Sequence, residues 1–319
     1  MKQELSEKIF IELLSPAGSY ECAKAALKAG ADAVYMGGAK YGARAFAKSV
    51  EENKILDAIK LTKECGKKFY LTVNTLFKQK ELEEIFLNLD PMVDEGIDAF
   101  IVQDLGVAML LKKQYQNVEL HASTQMTITS SKSINLLRDL GFTQVVLSRE
   151  LTLKEIKKIR EEVFDDVRLE AFVHGSMCYS YSGACLMSSF IGGESGNRGR
   201  CKGACRLPYN GNTYLLSMKD MCAISSLQKL ISVGVTSFKI EGRMRQADYV
   251  EGVTKVYRKY IDTIISNIKN SEYKLNDSEI TSDEKSLLKL YDKGGFTNYY
   301  DKHNDGSMIQ RYDRRYNYS

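Results

Sequence analysis

Four of the seven cysteines fall within 28 residues, spaced Cys178-x6-Cys185-x15-Cys201-x3-Cys205. Grouped soft thiolates suit either structural zinc or an iron–sulfur cluster. Zinc sites commonly use tight pairs such as C-x2-C twice over, and neither pair here is that close, so the looser spacing favours a cluster. Glycines at 183, 192, 193, 196, 199 and 203 let the backbone bend around an inorganic core and turn N–H groups toward sulfur. Four unligated thiols are the plain alternative. Cys22 and Cys65 differ, because each sits in a helical pattern and reads as a buried spectator thiol.

Polar residues at the ends of apolar runs form the second group. His121, His174 and Glu241 are candidates for proton transfer, since a strand-end imidazole titrates near neutral pH. Arg44, Arg149 and Arg243 would draw a carboxylate or phosphate, which a guanidinium binds through paired hydrogen bonds. Alternation places Glu119, His121, Ser123 and Gln125 on one side of their strand, and Lys239, Glu241 and Arg243 on one side of another. The plain reading is a satisfied network of interior polar side chains.

Short apolar runs with helical stretches between them must position these groups. Candidate strands are 12–16, 33–37, 69–75, 99–104, 119–125, 144–149, 168–174 and 237–243. Eight βα units in about 240 residues match a closed (β/α)8 barrel, in which catalytic residues gather at the carboxyl ends of the strands. An open doubly wound sheet is the competitor. Gly30, Gly96, Gly141 and Gly234 each stand where a helix needs a left-handed cap before the next strand. A long cysteine- and glycine-rich insertion, 176–212, follows the seventh strand, and loops of that length are usually functional. The expected division is a barrel over residues 1–268 and a short C-terminal extension over 269–319, with a helix near 282–291.

The 319 residues, 44% hydrophobic and 27% charged, suffice for a large core. No apolar run approaches the roughly 18 residues of a membrane span. The polar start Met1-Lys-Gln-Glu-Leu-Ser-Glu-Lys has no secretory pattern, so a cytoplasmic protein is expected. In a reducing compartment an odd number of cysteines argues against a disulfide framework. A net charge of +4 permits a nucleic-acid partner without declaring one.

Glu170-x-Phe172-x2-Gly175-Ser176-Met177-Cys178-x4-Gly183-x-Cys185-x-Met187-Ser188 resembles the signature of the U32 peptidase family, the collagenase-like proteases. Glu12-Leu-Leu-Ser-Pro-Ala-Gly18, Ala31-Asp-Ala-Val-Tyr-Met-Gly37, Asn197-Arg-Gly-Arg-Cys201-x3-Cys205-Arg206, Ser217-Met-Lys-Asp220, Ser237-Phe-Lys-Ile-Glu-Gly-Arg243 and Gly295-Phe-Thr297 extend the resemblance almost end to end. It implies a TIM-like barrel whose cysteines hold a four-iron four-sulfur (4Fe-4S) cluster, and an oxygen-independent hydroxylation. One group of the family makes 5-hydroxyuridine at the wobble position of tRNA and depends on prephenate. A second hydroxylates a cytidine of ribosomal RNA, and a third works in ubiquinone synthesis. Cys201-x3-Cys205 followed by Arg206 is most similar to the tRNA group. By resemblance to a ubiquinone-type branch that draws its fourth ligand from further downstream, Cys222 is a fifth candidate ligand.

For RNA, the tail offers Arg311, Arg314 and Arg315 alternating with Tyr312, Tyr316 and Tyr318, a pattern that could neutralise phosphates and stack on bases. A solvated terminus is the plain reading. Lys202 and Arg206 are rim candidates for the same grip. Proteolysis finds little support, with no H-E-x-x-H or G-x-S-x-G motif and only three histidines. A non-catalytic subunit that partners a second U32 protein is the third possibility.

Overall fold

A computed structural model describes residues 10–38, 51–209, 211, 213–270, 275–291, 293–300 and 307–309. Its strands are β1 Glu12–Ala17, β2 Ala33–Gly37, β3 Lys68–Val73, β4 Ala99–Val102, β5 Glu119–Ala122, β6 Phe142–Val146, β7 Arg168–Gly175, β8 Asp220–Cys222, β9 Ser237–Ile240 and β10 Phe296–Thr297. Consecutive strands from β1 to β7 pair in parallel, and β9 pairs in parallel with both β7 and β1. That double pairing closes an eight-stranded barrel and excludes the open sheet. Every run read as a strand is present. The two additions are short: β8 lies antiparallel on the carboxyl end of β7, and β10 pairs in parallel with β8.

The helices are α1 Tyr20–Lys28, α2 Glu52–Glu64, α3 Gln79–Leu82, α4 Ile85–Asp94, α5 Leu105–Gln114, α6 Ser131–Asp139, α7 Leu153–Glu162, α8 Met187–Gly192, α9 Leu227–Ser232, α10 Ala247–Asn270 and α11 Asp277–Leu290. Side chains of Ser19, Asp104, Ser130 and Thr152 accept the orphan N–H groups at the starts of α1, α5, α6 and α7. Gly30, Gly96, Gly141 and Gly234 take positive φ just past helix ends, as their spacing predicts.

Alternation along the strands sorts the core into two layers. Leu13, Val34, Leu71, Phe100, Leu120, Val145, Leu169 and Phe238 belong to the main apolar core, and a separate cluster comprises Leu14, Ala33, Tyr35, Tyr70, Ala99 and Ile101. Beside that smaller cluster runs a polar chain. Lys239 Nζ donates to Glu170 Oε1 at 2.7 Å, Ser237 Oγ bridges Glu170 and Glu12, and Tyr70 donates to Glu12 Oε2. Gln144 Nε2 donates to Glu170 Oε2, so this buried carboxylate has partners on both oxygens. The interior polar groups are therefore a connected network, which holds the floor of the barrel in one arrangement.

Candidate active site

A cavity of about 480 Å³ opens at the carboxyl ends of the barrel strands. Tyr35, Thr72, Ile101, Phe172 and Lys239 come from strand positions, Glu241 and Arg243 follow β9, and the insertion after β7 supplies another part of the wall. The insertion is pinned on several sides. Glu150 accepts from the Ser182 N–H at 2.8 Å and from its hydroxyl, while Asn197 Nδ2 donates to Gly183 O at 2.8 Å. Arg198 pairs with Glu81 and donates to Leu76 O. Gly183 has φ +78°, and a Cβ there would lie 2.2 Å from Gln125 O, so only glycine lets the loop sit on this segment. Arg206 donates to the carbonyls of Met177 and Met218, which joins the two ends of the insertion.

Cys178, Cys185, Cys201 and Cys205 all line this cavity as free thiols. Donors point at two of the sulfurs: Met187 N–H lies 3.5 Å from Cys185 Sγ and Gly203 N–H 3.4 Å from Cys201 Sγ, with Ser188 Oγ 3.9 Å from the same sulfur. Such N–H···S contacts steady thiolates that ligate iron or zinc. Burial pushes the Cys205 thiol up and Arg206 pulls it down, while the negative charge of Cys178, Cys201 and Cys185 raises it further. Among the described residues no three His, Cys, Asp or Glu side chains converge tightly enough to hold a single metal ion.

Cations line the same space. Arg149 donates to Ser176 O at 3.1 Å and lies 5.3 Å from the Phe172 ring, while its Nε is buried without a hydrogen-bond partner. Arg243 donates to Thr72 Oγ1 at 2.7 Å, and Gly37 makes room for it, since a Cβ there would meet Arg243 Nη1 at 2.8 Å. Arg245 lies 3.2 Å from the Tyr291 ring centroid. Lys293 donates to Ser176 Oγ at 2.7 Å; burial lowers its ammonium to about 8, with Arg206 and Arg245 adding to the effect against the opposing Asp220. Glu241 is the carboxylate within the lining, its Oε2 3.5 Å from the Tyr35 hydroxyl.

Set against known proteins, the profile of peptidase family U32 matches residues 18–310. The chain belongs to peptidase family U32. It is 41% identical over 265 residues to the 23S rRNA 5-hydroxycytidine C2501 synthase of Escherichia coli, covering 80% of this chain and 40% of that protein. With tRNA hydroxylation protein P1 of Bacillus subtilis it shares 34% identity over 275 residues, 81% of this chain and 65% of the relative. The chain thus spans less than two thirds of both relatives. The solved structure of a U32 peptidase superposes with TM-score 0.50 and 14% identity over 74% of this chain and 94% of that one, a likeness in fold.

In this U32 chain, Glu241, Arg149, Arg243 and the four grouped cysteines come together at the cavity, with Lys202 and Arg206 on its wall. His121 and His174 do not. His121, the third of the four residues of β5, is fully buried, with its ring 3.0 Å from Glu119 and against the Tyr70 ring. His174 packs among Tyr249, Tyr257 and Phe296, with Nδ1 3.3 Å from the Tyr257 hydroxyl of α10. Cys222 pairs with His174 across β8 and β7 and is 1% exposed, 3.7 Å from that same hydroxyl; burial and then Glu284 raise its thiol to about 12. It does not line the cavity with the other four. Cys65 is exposed at the end of α2, which corrects the buried-spectator reading, whereas Cys22 is buried as expected. Arg44 and the tail from Arg311 to Tyr318 lie outside the described residues.

Sequence reading missed Arg245, Tyr291 and Lys293 as parts of the site, and gave Lys239 an interior-facing place without a role. Alternation with Glu241 and Arg243 was a usable signal for Lys239. Nothing local marked Lys293.

Burial, with Arg245 nearby, lowers the His174 imidazole to about 3, so it stays neutral in the fold. In the unfolded chain it takes a proton near its ordinary value of about 6.5, so stability from this source is intact above that pH and falls between about 6.5 and 3. Acidification from about pH 7 to 5 should cost roughly 2 kcal/mol through this group. Urea midpoints measured across that range should fall less steeply in His174→Phe. An unchanged pH slope would contradict the assignment.

Proposed function

We propose that this U32 chain carries an iron–sulfur cluster on Cys178, Cys185, Cys201 and Cys205 and hydroxylates a pyrimidine of RNA, with a small anionic cosubstrate bound in the same cavity. The observation that carries the reading is the convergence of four thiols and several cations on one cavity at the mouth of the barrel. When bound, the cluster would supply electron transfer or Lewis-acid activation beside the substrate. The chain's own part is to bind and orient. Arg149 and Arg243 hold the carboxylate of the cosubstrate, for which the family resemblance suggests prephenate. Glu241 is the proton-transfer candidate that faces the cavity. A flipped base would enter past Lys202 and the Cys201–Cys205 rim.

The names of the relatives support the target class: one acts on 23S rRNA cytidine and the other is a tRNA hydroxylation protein. Wobble uridine of tRNA is the first target to test, with rRNA cytidine as the comparison. Nucleoside mass spectrometry of tRNA and 23S rRNA from a strain lacking the gene should show loss of a 5-hydroxypyrimidine in one of the pools. Both pools unchanged, in a strain with no second U32 gene, would reject the function. Restoration only when a second U32 protein is supplied would assign the chain the role of a partner subunit.

One observation favours a second, hydrolytic reading. Ser176 Oγ lies 2.7 Å from Lys293 Nζ, the arrangement of a serine nucleophile with a lysine base. His174, two residues before Ser176, is buried against α10 and is not placed to act as its base. Labelling of Ser176 by a fluorophosphonate, lost in Ser176→Ala, would support hydrolysis.

A further inference from the structure

We propose that Thr127 and Glu150 are positioning residues for the thiol site: from two other loops of the barrel they clamp Ser182, and so set where Cys178 and Cys185 stand. The inference rests on the reading of the four cysteines as ligands of an iron–sulfur cluster, and adds to it the device that fixes one half of the ligand set.

Among the described residues Thr127 is the one non-glycine residue with positive φ, at φ 56° and ψ 51°. A β-branched side chain is poorly suited to this left-handed region, which glycine and asparagine usually occupy. Strain of this kind persists where the surroundings hold it, and it gathers at functional sites. Thr127 closes the turn Thr124–Met126 that follows β5, and its hydroxyl donates to Ser182 O in the insertion. From the loop after β6, Glu150 accepts from the Ser182 N–H at 2.8 Å and from the Ser182 hydroxyl at 3.0 and 3.2 Å through its two oxygens. Ser182 is fully buried, and its amide, carbonyl and hydroxyl are all taken by these two residues from outside the insertion.

The clamp reaches both cysteine pairs. Ser182 stands between Cys178 and Cys185 in the chain, so a displacement of this anchor passes to both ligand segments. Gly183, seated on the backbone of the Gln125 turn, has its carbonyl bonded by Asn197 Nδ2 at 2.8 Å. Beside Asn197, a Cβ on Gly196 would lie 3.8 Å from both Cys185 O and Cys201 Cβ, which places that turn between the two pairs. Partners that orient the ligands from behind govern both how tightly a metal group is held and its electronic state. Thr127 accepts an unfavourable backbone conformation and returns one hydrogen bond, at the anchor of the ligand loop.

The test uses the full chain purified without oxygen. It reads the rate at which iron passes to a chelator and the electron paramagnetic resonance spectrum of the dithionite-reduced protein. Thr127→Val keeps the branch at Cβ but removes the hydroxyl, and should speed iron loss by roughly tenfold and alter the spectrum. Thr127→Ser keeps the hydroxyl and should stay within about twofold of the unaltered protein, with its spectrum unchanged. Glu150→Gln, which puts an amide N–H where a carboxylate oxygen accepts, should behave as Thr127→Val does, and it carries the comparison with Thr127→Ser if the valine variant folds poorly. A clamp that only stabilised the fold would lower the yield of folded protein and leave the spectrum and iron release of the remaining clusters unchanged. That result, or equal effects of serine and valine at position 127, would overturn the positioning role and leave the cluster reading standing. Unaltered protein without iron and sulfide would overturn both.

Discussion

Alanine at Cys178, Cys185, Cys201 or Cys205 should abolish the proposed cofactor binding: protein purified without oxygen should lose its brown colour, and iron and acid-labile sulfide should fall from about four per chain to near zero. All four thiols line one cavity, and backbone N–H groups are aimed at the sulfurs of Cys185 and Cys201. Cys222→Ala should keep its iron, because that thiol lies on the far side of β7 beside Tyr257 and is held protonated by burial. Cys65→Ala serves as an exposed control. Stoichiometric zinc without sulfide in the unaltered protein would contradict the assignment, and loss of iron in Cys222→Ala would move the fourth ligand.

The largest stability effect should come from the floor of the barrel. Lys239 and Glu170 form an ion pair at 2.7 Å with side chains 5% and 0% exposed. Removing one partner of a buried pair leaves an uncompensated charge and typically costs 3–5 kcal/mol. Lys239→Met should therefore lower stability by about 4 kcal/mol in urea unfolding. Glu170 would keep its contacts to Gln144 and Ser237, but neither is a cation. The double variant Lys239→Met/Glu170→Gln should recover about half or more of that loss, because no charge is then left buried. A strictly additive double variant would show that the two side chains do not interact as a pair.

The barrel and the thiol site were legible because their signals are local. Period-two apolar runs, glycine at helix ends and cysteine spacing each depend on a few consecutive residues. Alternation also placed Lys239, Glu241 and Arg243 on the cavity side correctly. His121 was misjudged because the direction of a side chain cannot be read from polarity: it stands one residue before the end of β5, but its ring meets Glu119 and Tyr70. For His174, adjacency to the strand end was right but the direction was wrong, since α10 presents Tyr249 and Tyr257 to it. Lys293 and Tyr291 were invisible for a different reason. Their place in the site depends on β10 adding to β8, a pairing of two short strands more than 70 residues apart that leaves no periodic trace.

The central claim is that one cavity joins the thiol site to an anion site and serves RNA hydroxylation. Its most direct test is complementation of a strain lacking the gene with the Arg149→Met/Arg243→Met variant. Nucleoside mass spectrometry and the iron content of the purified variant are read together. The account predicts full iron and sulfide with the 5-hydroxypyrimidine reduced at least tenfold relative to the unaltered gene, since two charge-assisted contacts to the cosubstrate are lost. Full restoration of the modified nucleoside by that variant would contradict it.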